Sequence, residues 1–353
     1  MTTRIPLYAN TKIYVACPAQ TATGGPELLQ QLVYHLRHAL HCDAFMYYYP
    51  STHPQPVHDD YHVYDNPYVR DIDDHQNNIL IVPESKPTLA LLAPFSHIRK
   101  VIWWLSVDNY YLSHFLSSKR NSFLKRSINK LRTLSGHSDL FEIRLTPSME
   151  KKYAPLDNTL VCSAHYHLTN SHRGVDHLKH KGLHPVLYLS EYLNEVFLQL
   201  ATNLEAKENI IAYNPKKGIT FTRKLMRAAP DLTFVPIENL DRQGVIDLLA
   251  RAKVYIDFGN HPGKDRLPRE AAILECCVIT GRRGSAGHPR DVRIPEGYKF
   301  DDIPSSVPAI VTTIRACLSD YPLKRQDFDT YREAIWEEPS QFINDLKAIF
   351  HHV

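Results

Sequence analysis

The chain has 353 residues, of which 43% are hydrophobic, and a formal net charge of +3. A chain of this length divides most naturally into two domains of about 150 to 200 residues. The near balance of acidic and basic residues excludes nucleic-acid binding through bulk charge. The six cysteines lack the spacing of a disulfide framework, and no uncharged apolar run reaches the ~18 residues of a membrane span. We therefore expect a two-domain cytoplasmic protein.

The first part of the chain alternates apolar runs with helical patterns. Ile13 to Cys17 is predicted to be a strand, and Pro26 opens a helix after a Gly24-Gly25 turn. Alternation of this kind predicts an α/β fold with a doubly wound, mostly parallel sheet. Further strands are predicted at 44–49, 78–82, 101–105, 160–164 and 186–189.

A second alternating series follows a predicted linker at 191–209. We expect domains at 1–195 and 196–325, and then a long helical segment, 326–353, in which apolar residues recur at helical spacing. The second series comprises predicted strands at 210–213, 233–236, 254–258 and 277–279, and predicted helices at 220–229, 241–252 and 268–275.

The stretch from Val254 to Thr280 joins a strand, a charged loop, a helix and a second strand. Pro268 suits the first turn of the helix, where its missing N–H costs nothing. The N–H groups and partial positive charge of a helix N-terminus attract anions, and Lys264, Arg266 and Arg269 surround this one. The pattern predicts that the loop binds a phosphate.

The basic loop, the Pro-Arg-Glu-Ala-Ala sequence at 268–272 and the Cys-Val-Ile strand at 277–279 resemble the C-terminal, nucleotide-binding half of GT-B glycosyltransferases. The resemblance is to the group 1 type that acts in bacterial polysaccharide and lipopolysaccharide synthesis. It implies two Rossmann-like doubly wound domains facing a cleft, with a terminal helix crossing back to the first domain. It also implies that Glu270 binds the ribose hydroxyls of a nucleotide-sugar donor. Retaining members often carry a Glu eight positions earlier, where this chain has Pro262, so the retaining or inverting outcome stays open.

Two further segments carry the resemblance. Gly24-Gly25 corresponds to a loop that approaches the donor diphosphate and the acceptor, and Lys217-Gly218 corresponds to a pair whose lysine binds the pyrophosphate. The Gly-rich loop at 281–286 adds backbone N–H groups and arginines that suit a phosphate. The predicted donor-binding residues are Gly25, Asn214, Lys217, Lys264, Arg266, Arg269, Glu270, Arg283, Gly284 and Ser285.

Asp108 lies just beyond the strand predicted at 101–105. A carboxylate there can take the proton of an acceptor hydroxyl, as an inverting transferase requires, but Asp is also favoured as a helix N-cap. His261, in a loop of the second domain, is the other predicted catalytic residue. Ser163 and His165, at the end of the next predicted strand, are alternatives, and a structural role stays open for each histidine.

No metal site is predicted. The six histidines from His165 to His184 come with no Cys or carboxylate that completes a ligand set. Asp71-Ile72-Asp73 looks like the Asp-x-Asp metal motif of the other glycosyltransferase fold, but it follows no clear buried strand. GT-B enzymes do not require a metal. The resemblance thus implies a metal-independent protein with a nucleotide-sugar as co-substrate and no further cofactor.

The chain between Asp108 and Asp139 contains no acidic residue, and a basic amphipathic helix is predicted at Lys119–Arg132. Its basic face can lie on anionic lipid or receive a lipid-linked acceptor. Alternatively, it is solvated while its apolar stripe packs in the core. In several GT-B enzymes with lipid-carried acceptors, such a helix meets the membrane. The resemblance therefore adds peripheral contact with the inner face of a membrane as an alternative to a purely cytoplasmic location.

Taken together, these features predict a glycosyltransferase that moves a sugar from a nucleotide-sugar donor to a glycan or lipid-linked acceptor in surface polysaccharide synthesis. Two alternatives stay open. One is a sugar-nucleotide epimerase on the same fold. The other is a non-catalytic GT-B-like binding or scaffold protein, favoured by Pro262 and by the absence of the Arg that often precedes the Lys-Gly pair.

Overall fold

The computed structural model describes residues 4–117, 145–200 and 202–353. These residues form two compact units. The first contains 4–117, Leu145–Glu191 and Ser340–Val353, and the second contains Tyr192–Pro339. The domain boundaries expected from the sequence at 195 and 325 stay predictions. The helix predicted at Lys119–Arg132 lies outside the described residues.

The first unit is a parallel α/β unit. Its strands are β1 (Ile5–Leu7), β2 (Lys12–Pro18), β3 (Asp43–Tyr49), β4 (Tyr68–Val69), β5 (Ile79–Pro83), β6 (Arg99–Trp104), β7 (Tyr166–Thr169) and β8 (Val186–Tyr188). Its helices before Glu191 are α1 (Gly24–His38), α2 (Lys86–Leu89), α3 (Val107–Leu116), α4 (Pro147–Lys152), α5 (Thr159–Cys162) and α6 (His172–His180).

Seven of these strands form one sheet in the order β4-β3-β2-β5-β6-β7-β8, with every neighbouring pair parallel. Strands β2, β3 and β4 follow one another towards one edge of the sheet. Strand β5 then pairs with the other side of β2, and β6, β7 and β8 follow towards the opposite edge, so the sheet is doubly wound. All five residues of β5 are buried, as expected for a parallel strand covered on both faces. The order of the strands reverses between β2 and β5, and open α/β sheets bind ligands at such a reversal.

The second unit repeats this architecture on a smaller scale. Its strands are β9 (Glu208–Tyr213), β10 (Thr233–Pro236), β11 (Ala252–Asp257), β12 (Cys277–Gly281) and β13 (Lys299–Phe300), in the order β10-β9-β11-β12-β13. All neighbouring pairs are parallel, and the order reverses between β9 and β11. Its helices are α7 (Glu195–Leu198), α8 (Ile219–Ala228), α9 (Arg242–Arg251), α10 (Arg266–Ile273), α11 (Val307–Ser319), α12 (Tyr321–Lys324) and α13 (Asp329–Trp336).

The strand predicted at 160–164 is wrong, because this segment is helical. The Asn158 side chain accepts hydrogen bonds from the backbone N–H groups of Leu160 and Val161 and so caps α5. The neighbouring strand is β7, which begins at Tyr166. Apolar runs this short do not distinguish a strand from a buried helical turn.

The single long helix predicted at the end of the chain is also wrong. A 3-10 turn at Arg325–Phe328 precedes α13, and a break at Glu337 separates α13 from the last helix, α14, which spans Glu338–Ile349. The chain then forms strand β14 (Phe350–His352), which pairs in parallel with β1. The apolar residues at the end of the chain thus lie partly in a helix and partly in a two-stranded sheet.

A buried lysine joins several elements at the amino-terminal edge of the second sheet. Lys207 is 8% exposed, and its ammonium donates to the carbonyl of Leu249 at 2.9 Å, to that of Ala252 at 2.7 Å and to that of Leu274. Burial lowers the pKa of Lys207. A buried ammonium is tolerated here because three carbonyls replace its water.

We expect Lys207→Met to lower the free energy of unfolding by roughly 3 kcal/mol, because it removes the ammonium from three buried carbonyls and leaves the single thiol of Cys276 as the side-chain donor to those of Leu249 and Ala252. Urea denaturation followed by far-UV circular dichroism measures the change. Lys253→Met is the matched control, since Lys253 donates to Asn209 at the surface, and we expect it to cost less than about 1 kcal/mol. Equal losses in the two variants would contradict the structural role of Lys207.

Candidate functional site

Three loops meet at the carboxyl edge of the second sheet. They follow β9 at 214–218, β11 at 258–265 and β12 at 282–285. Strands β9 and β11 flank the reversal of strand order, so their loops border the crevice in which open α/β sheets bind ligands. The sequence-predicted residues Asn214, Lys217, Lys264, Gly284 and Ser285 all lie in these loops.

Two glycines let the outer loops pack directly against the β11 loop. Gly218 has φ of +57°, and a Cβ at this position would lie 1.1 Å from the carbonyl oxygen of Phe258. Gly284 has φ of +67°, and its Cβ would lie 2.1 Å from the carbonyl oxygen of His261. The backbone N–H of Ser285 donates to the same carbonyl at 2.8 Å. The three loops are therefore held together backbone to backbone, and only glycine fits at the two contacts.

The β9 loop ends at a helix N-terminus. Helix α8 begins directly after Gly218, which has no side chain that could cap the first N–H groups. Lys217 lies one residue earlier, and no acidic residue occurs in the first turn. Uncapped N–H groups, the helix dipole and an adjacent ammonium together favour a phosphate at this place.

Lys217 is the outer end of a chain of polar contacts. Its ammonium contacts Asp265, whose carboxylate lies 2.7 Å from Nδ1 of His261. On the other side of the imidazole, Nε2 lies 3.8 Å from Oδ1 of Asp257. The Tyr255 hydroxyl donates to the second oxygen of Asp257 at 2.8 Å. Tyr255, Asp257 and His261 are at most 1% exposed, so the chain runs from the core to the edge of the site.

Neighbouring charged residues shift the pKa values of His261 and Asp265. Burial alone lowers the pKa of His261, but Asp257 and Asp265 outweigh it and raise the pKa above its ordinary value. Burial raises the pKa of Asp265, but His261 and Lys217 outweigh it and bring the pKa to about 2. His261 is fully buried, so in this arrangement it can act on a ligand only through neighbouring residues. Its predicted catalytic role stays a prediction.

Helix α10 begins at Arg266, two residues before the start predicted at Pro268. Glu270 is 2% exposed and accepts a hydrogen bond from Nε of Arg266 at 3.1 Å. Arg266 is the more accessible partner, with 37% of its side chain exposed. Glu270 is thus held by one of the basic residues predicted to bind the donor.

The other predicted cations of this helix and loop are also paired inside the second unit. Arg269 is 1% exposed and donates to Glu338 at 2.8 Å. Lys264 forms an ion pair with the same carboxylate. Arg283 lies 2.5 Å from Asp302. Asn214, a predicted donor-binding residue without charge, accepts a hydrogen bond from the backbone N–H of Lys216 at 3.0 Å. Their donor-binding roles stay predictions, and the guanidinium of Arg269 is turned to Glu338 in this arrangement.

The carboxyl edge of the first sheet carries a second group of polar residues. Asp108 is 1% exposed and lies 2.6 Å from Arg173, which follows β7. The alternative that Asp108 caps α3 is wrong, because Ser106 is the N-cap and accepts from the N–H of Asn109. Gly25 lies in the first turn of α1, where a Cβ would lie 3.4 Å from Leu105.

Sequence reasoning missed Glu84. It follows β5 directly, at the reversal of the first sheet, and accepts a hydrogen bond from the N–H of Leu105 at 3.0 Å. Only 3% of its surface is exposed, and burial raises the pKa of Glu84 from 4.5 to about 7. The signal for Glu84 in the sequence was a single carboxylate directly after an apolar run. Ser163 and His165 instead precede β7, at the opposite edge from the one predicted.

The histidines between His165 and His184 serve as ring neighbours and hydrogen-bond partners. Nδ1 of His167 accepts from the indole N–H of Trp104 at 3.2 Å, and His177 contacts the hydroxyl of Tyr111 at 2.8 Å. Within residues 4–117, 145–200 and 202–353, one group offers three metal-ligating atoms within 4.8 Å of one another, namely Asp257, His261 and Asp265. The expectation of metal independence stays a prediction. None of the helices in these same ranges is long and apolar enough to cross a membrane.

We expect Gly218→Ala to lower the free energy of unfolding by roughly 2 kcal/mol or more, because its Cβ would collide with the Phe258 carbonyl and the residue would keep a positive φ. Gly297→Ala is the matched control, since its Cβ would meet nothing within 4 Å. Urea denaturation of both variants measures the difference. A Gly218→Ala protein as stable as the control would show that the loops are not packed as described.

We expect part of the pH dependence of stability to come from Glu84. The folded pKa of about 7 lies above the ordinary 4.5, so the folded state holds the proton more tightly. Its contribution is complete below pH 4.5 and is lost as the pH rises towards 7, with a total on the order of 3 kcal/mol.

Denaturation of wild type and Glu84→Gln at pH 4.5 and pH 7.5 tests this expectation. The variant should lose less stability than wild type between the two pH values, whereas the exposed Asp157→Asn should behave as wild type. The same loss in Glu84→Gln and wild type would show that Glu84 does not titrate in this window.

Comparison with known proteins supports the architecture. Neither a protein-family model nor a curated protein matches the chain, whereas solved structures match over nearly its full length. A glycosyltransferase from Rickettsia africae ESF-5 has a TM-score of 0.59 at 11% identity, covering 96% of this chain and 97% of that one. Sucrose-phosphate synthase from Thermosynechococcus elongatus has a TM-score of 0.58 at 13% identity, covering 96% and 100%.

A third solved structure, Anabaena HepE in complex with UDP-glucose, has a TM-score of 0.57 at 10% identity, covering 96% of this chain and 98% of that one. These neighbours are glycosyltransferases of the GT-B type. At such identities the likeness shows the fold. The prediction from the sequence is therefore confirmed: the chain has the α/β GT-B fold, built from two Rossmann-like doubly wound domains.

Proposed function

We propose that the protein is a glycosyltransferase that binds a nucleotide-sugar donor at the carboxyl edge of its second sheet. The observation that carries this proposal is the backbone-packed set of three loops around the uncapped start of α8, with Lys217 beside it. Such a site suits a diphosphate, which carries negative charge and accepts hydrogen bonds. The similarity to HepE, whose structure contains UDP-glucose, supports the same class of ligand.

Within this proposal, Glu270 binds the ribose hydroxyls, and Arg266 orients its carboxylate through the contact at 3.1 Å. Lys217 neutralises the diphosphate as it leaves, which stabilises charge that develops in the transition state. Asp108 is the proposed general base for the acceptor hydroxyl. Its contact with Arg173 fixes the direction of the carboxylate, as a positioned base requires.

The acceptor in this proposal is a glycan or lipid-linked sugar in surface polysaccharide synthesis, and the protein acts on the cytoplasmic side of a membrane. Support for the acceptor class comes from the predicted basic helix at Lys119–Arg132. Pro262, at the position where retaining relatives often carry Glu, leaves the stereochemical outcome outside the proposal.

We expect at least one nucleoside diphosphate to raise the melting temperature of the wild-type protein, because a ligand that binds only the folded state stabilises it by about 2.7 kcal/mol at a hundredfold excess over its Kd. A thermal-shift screen of nucleoside diphosphates and nucleotide-sugars measures this effect. Glu270→Ala should lose the shift, whereas the exposed Glu333→Ala should keep it.

Two results would overturn the proposal. A complete absence of shift at millimolar nucleotide would favour the non-catalytic alternative, and an unchanged shift in Glu270→Ala would remove Glu270 from the ribose site. Incubation with the bound nucleotide-sugar alone separates transfer from epimerisation, because only an epimerase converts its donor to an isomer without an acceptor.

A further inference from the structure

We propose that Asp257 and His261 are positioning residues that hold Lys217 toward the donor diphosphate by acting through Asp265. This inference rests on the proposed function and deepens it. Its basis is the continuous path of contacts from Tyr255 in β11 to the ammonium of Lys217 in the β9 loop.

The Asp265 carboxylate is oriented towards Lys217 and His261. Asp265 occupies the N-cap position of α10, where an Asp side chain ordinarily accepts a hydrogen bond from the start of the helix. In this structure the Asp265 side chain makes no capping hydrogen bond to α10. Its carboxylate turns instead to Lys217 and to His261. The helix thus lacks this cap, and the carboxylate is placed where it can orient an ammonium.

The exposed fraction of the side chains increases along the path from Asp257 to Lys217. Asp257 and His261 are at most 1% exposed, whereas the side chains of Asp265 and Lys217 are 17% and 25% exposed. A ligand at the sheet edge can therefore contact Lys217 but cannot contact the two inner residues. Asp257 and His261 must act through the residues between them and the ligand, so they are positioning residues.

A lysine side chain is flexible and needs external contacts to hold its ammonium in one place. The Lys side chain has a four-carbon stem and carries three N–H donors. A carboxylate that receives one of these donors restricts the stem while the ammonium can still donate to a phosphate. Nδ1 of His261 lies 2.7 Å from the same Asp265 oxygen that contacts the ammonium, and Asp257 lies beyond the imidazole at 3.8 Å. The loop contact of Gly284 with the His261 carbonyl fixes the backbone of this relay.

A divalent cation is the competing occupant, since Asp257, His261 and Asp265 offer ligand atoms within 4.8 Å of one another. Two observations favour the positioning role. The ammonium of Lys217 already contacts Asp265, and the imidazole lies between the two carboxylates, with one nitrogen towards each. The Asp265 oxygen that a cation would need is thus already contacted by the ammonium of Lys217 and by Nδ1 of His261.

The test is a double-mutant cycle read out with inorganic pyrophosphate and with the nucleoside diphosphate that stabilises the wild type, using isothermal titration calorimetry. We expect His261→Gln to weaken diphosphate binding roughly tenfold, the effect of one charge-assisted hydrogen bond. In a Lys217→Met background the same substitution should change the affinity by less than about twofold, because the two residues act as one unit.

The parent nucleoside, which lacks phosphates, should bind His261→Gln as it binds the wild type. His288→Gln is the matched control and should leave every affinity unchanged. If His261→Gln fails to fold, Asp265→Asn replaces it in the cycle with the same expected results, since Asp265 lies at the edge of the site.

Three outcomes would overturn the inference while leaving the proposed function intact. They are additive losses in the double variant, an equal loss of affinity for the parent nucleoside, and stoichiometric binding of Mn²⁺ that His261→Gln abolishes. Failure of the wild type to bind both pyrophosphate and every nucleoside diphosphate is a different result, because it would overturn the proposed function itself.

Discussion

The candidate site depends on two points where one backbone lies directly against another. Gly218 and Gly284 both contact carbonyl groups of the β11 loop, and a Cβ at either position would come within about two ångströms of a carbonyl oxygen. Backbone hydrogen bonds add to the second contact, since the N–H of Ser285 donates to the His261 carbonyl at 2.8 Å and the N–H of His261 donates to the Arg283 carbonyl at 3.4 Å. Because backbone contacts leave little freedom, the start of α8, Lys217 and Ser285 are fixed before any ligand arrives. A preorganised site of this kind loses less entropy on binding.

Around this backbone frame, most of the charged side chains are already paired within the second unit. Arg269 and Lys264 share Glu338, Arg266 contacts Glu270, and Lys217 contacts Asp265. These pairs divide the cations into two groups. Arg269 is buried and supports the attachment of α10, whereas Lys217 and Arg266 lie at the accessible edge. The donor site proposed here therefore uses a few cations that are oriented by carboxylates, and not a cluster of unpartnered positive charge.

The sequence predicted the alternation of strands and helices, because apolar runs and turn residues mark buried parallel strands locally. It also predicted the loops that contain Lys217-Gly218 and the basic residues before Glu270, because each loop directly follows an apolar run. It could not predict that Glu338 pairs with Arg269, because the two residues are far apart in the chain and only the fold brings them together. The error at 160–164 has a local cause, the cap that Asn158 provides for α5. Glu84 was missed because its elevated pKa results from burial, which the sequence does not display.

Lys207 determines which parts of the second unit can be substituted without loss of the strand register. It ties the starts of β9 and β11 to the ends of α9 and α10 at the edge opposite the candidate site. The strand register is therefore secured from one side, independently of the loops on the other. Loop residues that do not make the two glycine contacts can be replaced without removing this anchor. The residues that stabilise this unit are therefore different from the residues proposed to contact the ligand. The second group can be substituted to change the ligand.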